Sequence, residues 1–156
     1  MSDDIVRDAP AGAVQVTLQT VYLKDSSYES PNGPRLPGQS WEPKFQLNMN
    51  TTAQEIAPDT REVLLTVTLE AKQGEATLYL VEVKQAGVFT LVGASQEDLK
   101  RLIGSFCPGV LFPYAREVVS DLVTKGGFPN FLLPPVNFDM LYAQAESGQG
   151  DTGAVN

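Results

Sequence analysis

Residue types that could do chemistry are scarce in this chain, and their spacing assembles no familiar catalytic set. There is one cysteine, Cys107, and no histidine. A serine or cysteine nucleophile needs a base beside it, and histidine is the usual one. Without histidine there is also no Cys/His zinc site. No GxxxxGK run followed by Ser or Thr occurs, so no phosphate loop for ATP is present. Paired carboxylates remain open in principle, but the acids are scattered over strand faces and helix starts, where a solvated acid is the common case. Cys107 reads as a small buried hydrophobe rather than a nucleophile. The expectation is a protein that is not an enzyme and needs no metal or cofactor.

Aromatics and prolines concentrate where reactive groups are missing. Cys107-Pro-Gly-Val-Leu-Phe-Pro-Tyr-Ala-Arg-Glu117 is followed by Gly126-Gly-Phe-Pro-Asn-Phe-Leu-Leu-Pro-Pro-Val-Asn-Phe-Asp139. Such a segment is suited to holding an apolar partner. The net charge of −8 argues against nucleic acid, since phosphate binding needs a basic stripe. No apolar run approaches the roughly 20 residues of a membrane helix, and no basic and apolar signal region opens the chain. A single cysteine allows no internal disulfide and suits a reducing cytoplasm.

The elements that position these residues follow from periodicity. Residues 1–13 read as a flexible tail. From Val14 the chain alternates, with Val16, Leu18 and Tyr22 on the apolar side. Ser30 to Ser40 holds three prolines and two glycines. It is too long for a hairpin turn and predicts a crossover to a non-adjacent strand position. Trp41, Pro43, Phe45, Leu47 and Met49 share one face of a second strand ending near Asn50. Val63, Leu65, Val67, Leu69 and Ala71 share one face of a third. Gln73-Gly74 predicts a tight turn. Tyr79, Val81 and Val83 point inward on a fourth, with Gly87 as a bulge or strand end before Val88–Val92.

Helices come next. Ser95-Gln-Glu-Asp98 predicts a capping box. Leu99, Leu102, Ile103 and Phe106 form a helical stripe ended by Pro108-Gly109, and Pro113 opens a second helix. Lys125 and Gly126-Gly127 close that helix. Phe128 to Val136 is expected to be extended, and Asn137 to cap a short helix through about Ala145. Residues 147–156 read as a disordered tail. The fold class is α+β, a four-stranded antiparallel sheet followed by amphipathic helices, in a domain spanning residues 14–146.

The sequence resembles the SecB family of bacterial export chaperones. The segment LFPYARE, Leu111 to Glu117, followed by GGFPxFxLxPVNFD, carries most of the resemblance. It extends through Tyr22-x-Lys24-Asp25-x-Ser27-Tyr28-Glu29-x-Pro31-Asn32, Trp41-x-Pro43, Glu62-Val63, Gly74-Glu75, Glu82-Val83 and Gly87-Val88-Phe89. The match covers about Val16 to Tyr142.

The resemblance implies an ATP-independent chaperone in the cytoplasm. It would hold unfolded preproteins as a homotetramer, a dimer of dimers, and deliver them to the SecA ATPase. The polar sheet face, with Asp25, Glu29, Thr66, Thr68, Glu70 and Glu82, reads from pattern alone as an ordinary solvated face. The resemblance makes Asp25, Glu29, Leu80 and Glu82 the SecA-binding residues. Val81, Val83 and Gln85 match positions tied to tetramer integrity or client capture, with plain core packing an equal alternative. Trp41, Phe45, Leu47, Met49, Phe112, Tyr114, Phe128 and Phe131 are the candidate lining of a client groove, some of them core instead. A SecB-like chaperone dedicated to one client, such as a toxin–antitoxin pair, is the alternative function.

Overall fold

The computed structural model describes residues 13–148. The expectations for the two tails, apart from Ala13, Ser147 and Gly148, therefore lie outside the described residues. Four strands come first: β1 (Gln15–Glu29), β2 (Lys44–Ala57), β3 (Thr60–Gln73) and β4 (Ala76–Val92). All neighbours pair antiparallel, in the order β1-β4-β3-β2. The crossover segment thus joins the two edges of the sheet, as its length predicts. The central strands β3 and β4 are the most regular in pattern. Their inward residues Val63, Leu65, Val67, Leu69, Ala71, Tyr79, Val81, Val83, Phe89 and Leu91 are buried.

Both hairpin turns have a left-handed residue. Gly74 (φ 61°) turns β3 into β4 where the tight turn is expected. Asp59 (φ 55°) turns β2 into β3, a conformation that Asp tolerates better than most residues. The β2–β3 hairpin is longer than its alternation suggests. It runs past Asn50 to Ala57, and its far end is exposed, so no buried face marks it in the sequence.

Strand β1 departs from simple alternation. Its pairing with β4 shifts between Leu18 and Thr20, and again between Leu23 and Asp25. Each bulge adds one residue and inverts the side-chain phase. Val21 and Leu23 therefore lie opposite Gly87 and Gln85 on the helix side, and Tyr22 falls on the outer face opposite Ala86. The inward placement of Tyr22 is corrected by the first bulge. The second restores the phase, so Asp25 and Glu29 stay on the outer face. Gly87 itself is neither bulge nor strand end. A Cβ there would stand 2.8 Å from Leu111 Cδ2 and 2.9 Å from Phe89 Cε2, so glycine is what lets the helix approach the sheet.

One face of the sheet is covered by helices. Helix α1 (Gln96–Arg101) begins with the expected capping box: Ser95 Oγ accepts from Asp98 N–H at 3.1 Å, and Asp98 accepts from Ser95 N–H at 3.3 Å. A π-helical turn (Leu102–Phe106) carries the chain directly into α2 (Cys107–Lys125). The predicted break at Pro108-Gly109 does not occur. The wide turn already interrupts the regular ladder, so the missing N–H of Pro108 falls where it does least harm. Pro113 lies inside α2 rather than at its start. Both Pro113 and Gly109, whose carbonyl loses its partner, are exposed, and water can take that bond.

Helix α2 buries Cys107, Leu111, Phe112, Ala115, Val119 and Val123. It ends as the sequence predicts. Gly127 (φ 81°) donates to Thr124 C=O at 3.0 Å, and Phe128 donates to Val123 C=O at 3.3 Å. An irregular segment follows to Val136. Asn137 then caps α3 (Phe138–Glu146) by accepting from Met140 N–H at 3.0 Å.

Candidate binding cleft and acidic face

The irregular segment after α2 is held where it can form a wall. Arg116 Nε donates to Leu133 C=O at 3.0 Å, with its guanidinium carbon 4.8 Å from the centre of the Phe112 ring. The Ser120 hydroxyl donates to Asn130 Oδ1. Leu133 is buried in the core. These ties fix Phe128 and Phe131 beside the start of β2. Phe128 then packs on Trp41 with centroids 5.9 Å apart, and Phe131 on Phe45 at 4.6 Å. The row continues inward from Phe128 to Tyr79 at 5.1 Å, and from Tyr79 to Tyr28 at 6.3 Å. Offset and tilted rings of this kind form an apolar wall with few directional polar groups.

The eight candidate groove residues separate. Trp41, Phe45, Phe128 and Phe131 come together. Phe45 keeps 40% of its surface exposed, and Trp41 and Phe131 are partly covered. Phe128 lies deep in the row. Leu47 and Phe112 are buried core residues, and Met49 packs partly on the core beside Leu47. Tyr114 stands 50% exposed on α2, outside the aromatic row. Sequence reasoning missed Tyr28, Tyr79 and Arg35 at this site. Arg35 lies over the Trp41 ring, 5.5 Å from its centre. Its position in a Pro/Gly-rich loop gives no periodic signal. Alternation turns Tyr28 inward but does not show that β1 lies beside β4, which is what brings Tyr28 to Tyr79.

The opposite face of the sheet is polar and stepped by register. Glu29 pairs with Leu80, and Leu80 with Glu70. Ser27 pairs with Glu82, and Glu82 with Thr68. Asp25 pairs with Lys84, and Lys84 with Thr66. Asp25, Glu29, Leu80 and Glu82 therefore form one contiguous patch. Lys84 Nζ lies 3.9 Å from Glu82, and Lys72 lies 3.1 Å from Glu70, so the charge is tempered in places. Farther along, Glu62 accepts from Lys24 at 2.5 Å and from the Tyr22 hydroxyl. These two bonds, Lys24 first, hold the Glu62 carboxyl below the ordinary carboxylate range. The bond to Glu62 pushes the Tyr22 phenol up to about 12.

Val81, Val83 and Gln85 point the other way, toward the helices, and are buried. The two valines have the surroundings of core residues. The Gln85 side chain donates to Tyr22 C=O at 3.0 Å, spanning β4 and β1. Cys107 is fully buried, and burial pushes its thiol up to about 12, far from a reactive thiolate.

An antiparallel sheet with helices on one face, an aromatic cleft and a polar outer face define the class, an α+β fold with two separate candidate binding surfaces. The same fold occurs in a SecB-like chaperone of Mycobacterium tuberculosis solved with a peptide from an antitoxin. The TM-score is 0.66 and the identity 17%, covering 78% of this chain and 91% of that one. The model of the family described as preprotein translocase subunit SecB matches residues 9–149. The protein-export protein SecB of Nitrosococcus oceani is 51% identical over 143 residues, 90% of this chain and 87% of its own. That of Legionella pneumophila is 44% identical over 155 residues, 99% and 96% of the two chains. The chain belongs to the SecB family of protein-export proteins.

Proposed function

We propose that this protein holds unfolded preproteins in the cytoplasm without ATP and hands them to the SecA motor for Sec-dependent export. The observation that carries the reading is two-sidedness. An aromatic cleft lies on the helix side of the sheet, with the acidic patch of Asp25, Glu29, Leu80 and Glu82 on the other. A client side chain buried on Trp41 or Phe45 would contribute roughly 1.5–3 kcal/mol before ordering costs. Wide apolar walls accept many sequences, and a folded client offers nothing to bury. Holding of this kind is an equilibrium and consumes no nucleotide. The acidic patch would dock a basic surface of the motor quickly and in a salt-sensitive way. The two sites can then be occupied together.

Assembly into a homotetramer belongs to the same reading. The π-helical turn leaves Phe106 47% exposed, helix α2 leaves Tyr114 50% exposed, and the edge strand β1 leaves Leu23 44% exposed on its helix side. These surfaces would be covered by other copies. Several clefts on one assembly then act together on one long client.

A chaperone dedicated to a single client is not favoured. The antitoxin-bound neighbour shares 17% identity, whereas the export proteins share 43–51%. The deciding experiment separates the two faces. Asp25→Lys or Glu82→Lys is expected to weaken SecA binding at least severalfold, with unfolded-client binding nearly intact. The SecA affinity of the unsubstituted protein should fall as salt rises, since exposed charges are screened beyond about 8 Å at physiological ionic strength. Equal loss of both activities would refute the separation of the two surfaces.

A further inference from the structure

Strand β1 turns its later acids outward only because it is bulged twice, and the second bulge is held more firmly than the first. Gln19 is the extra residue of the first bulge, and its side chain makes one exposed bond, to Thr90 Oγ1 at 3.1 Å. Lys24 is the extra residue of the second, between the pairs Leu23–Gln85 and Asp25–Lys84. Without Lys24 the side-chain phase beyond Leu23 would invert. Asp25, Ser27 and Glu29 would turn to the helix side, and Tyr28 would turn out of the aromatic row.

This second bulge is gripped from both faces of the sheet. On the helix side Gln85 is 3% exposed, and its amide donates to Tyr22 C=O at 3.0 Å, just ahead of Lys24. A bulge disrupts the ladder locally, and a buried side-chain donor is a firm substitute for a ladder bond. On the outer side Lys24 Nζ lies 2.5 Å from the Glu62 carboxylate, and the Tyr22 hydroxyl donates to the same group. Glu62 belongs to β3, so both side chains reach across β4. Ala86, opposite Tyr22 on β4, is fully buried on this face, and its small side chain leaves room for the crossing.

We propose that Gln85 and Glu62 are positioning residues for partner docking: they lock the second bulge of β1, and the bulge sets Asp25 and Glu29 on the outer face. The inference rests on the reading of that face as the SecA-binding surface. Gln85 acts without meeting the partner, because its side chain lies on the helix side of the sheet. The register of one edge strand thus decides whether the docking acids are presented at all.

The test starts with Gln85→Leu, which keeps the side chain's size and charge state and removes the donor. SecA affinity is expected to fall about threefold to tenfold, the scale of one or two surface charges moved out of place. Binding of an unfolded client should change by less than about twofold, because Trp41 and Phe45 lie outside β1. Register is read separately, by the rate at which a disulfide forms between Ser27→Cys and Glu82→Cys, which face one another across β1 and β4. Cys107 is buried and does not compete. Gln85→Leu and Tyr22→Phe should each slow that reaction. Tyr22→Phe removes only the hydroxyl bonded to Glu62, so it carries the test if Gln85→Leu does not assemble, and an unchanged rate in it would then overturn the lock. Unchanged SecA affinity in an assembled Gln85→Leu would also overturn the inference. So would lost SecA affinity at an unchanged disulfide rate, since Gln85 would then act by another route. If the disulfide rate falls but Asp25→Lys leaves SecA binding intact, the face does not dock the motor, and the inference falls with that reading.

Discussion

Trp41 sits at the junction of everything proposed for the cleft. It packs against Phe128 on one side and lies under Arg35 on another, yet remains only partly buried. A client that covers it removes an aromatic surface from water. Trp41→Ala is expected to weaken client holding by about 1–3 kcal/mol, the scale of one lost aromatic contact, with the assembly preserved. Titration with an unfolded, tryptophan-free client and light scattering of the variant check the two halves. Dissociation of the assembly with unchanged holding would make Trp41 structural. Glu62 supports a separate expectation. Its folded carboxyl is held below the ordinary range, chiefly by Lys24 and then by Tyr22, so folding favours the ionised form. That contribution is present above the ordinary value of about 4.3 and is lost as pH falls through the lower folded value. Glu62→Gln should therefore lower Tm at pH 7, and the gap to the unsubstituted protein should close as the pH drops below about 4. Thermal melts from neutral to acid pH measure it, and a gap independent of pH would exclude an ionised network.

At the scale of elements, the end of α2 is tightly constrained by β1. Gly126 has an ordinary backbone conformation, so its glycine is not there for freedom of rotation. A Cβ at that position would overlap the Tyr28 hydroxyl, which reaches in from β1. Gly126→Ala should push Tyr28 out of place and destabilise the protein by about 1–3 kcal/mol, the usual cost of overpacking. Urea unfolding would show this as a lowered midpoint at constant slope. A midpoint unchanged from that of the unsubstituted protein would mean that Tyr28 can move away freely. Displacing Tyr28 also disturbs the aromatic row through Tyr79 to Phe128. The variant should accordingly hold clients less well than its stability loss alone explains.

At the scale of the whole molecule, the exposed apolar surface of α2 and the free edge of β1 lead to the expected tetramer. Light scattering at micromolar concentration should give four times the chain mass, and a stable monomer would remove both the assembly and the multivalent holding. The chain has no histidine, and the perturbed Cys107 and Tyr22 groups titrate near 12. Client binding should therefore be nearly flat between about pH 6 and 8, measured with a client that does not itself titrate there. A steep transition in that window would point to an acid in the cleft and reopen catalysis. Much of this scale is legible in the residues. Four strands, a long crossover and two helix caps are local patterns and appear in the expected order, although β1 is bulged twice and β2 runs past Asn50 to Ala57. The acids of the outer face land together because the two bulges of β1 cancel, an outcome that alternation alone reaches without seeing either bulge.

The sequence by itself determined the strand and helix content, the cap at Ser95, the close at Gly126-Gly127 and the absence of histidine chemistry. Each depends on neighbours within a few residues, where backbone preference and side-chain period are decided. Only the tertiary structure decided that Tyr22 faces outward, that the helix continues across Pro108, and that Leu47 and Phe112 are core while Phe45 and Trp41 remain partly open. Those outcomes depend on what lies across the contact. An aromatic side chain is wall or core according to the residues packed over it, and these come from distant parts of the chain. Arg35 and Trp41 meet because the crossover loop is tied to the β3–β4 turn through Gln73 and Asn32, contacts that no periodicity encodes.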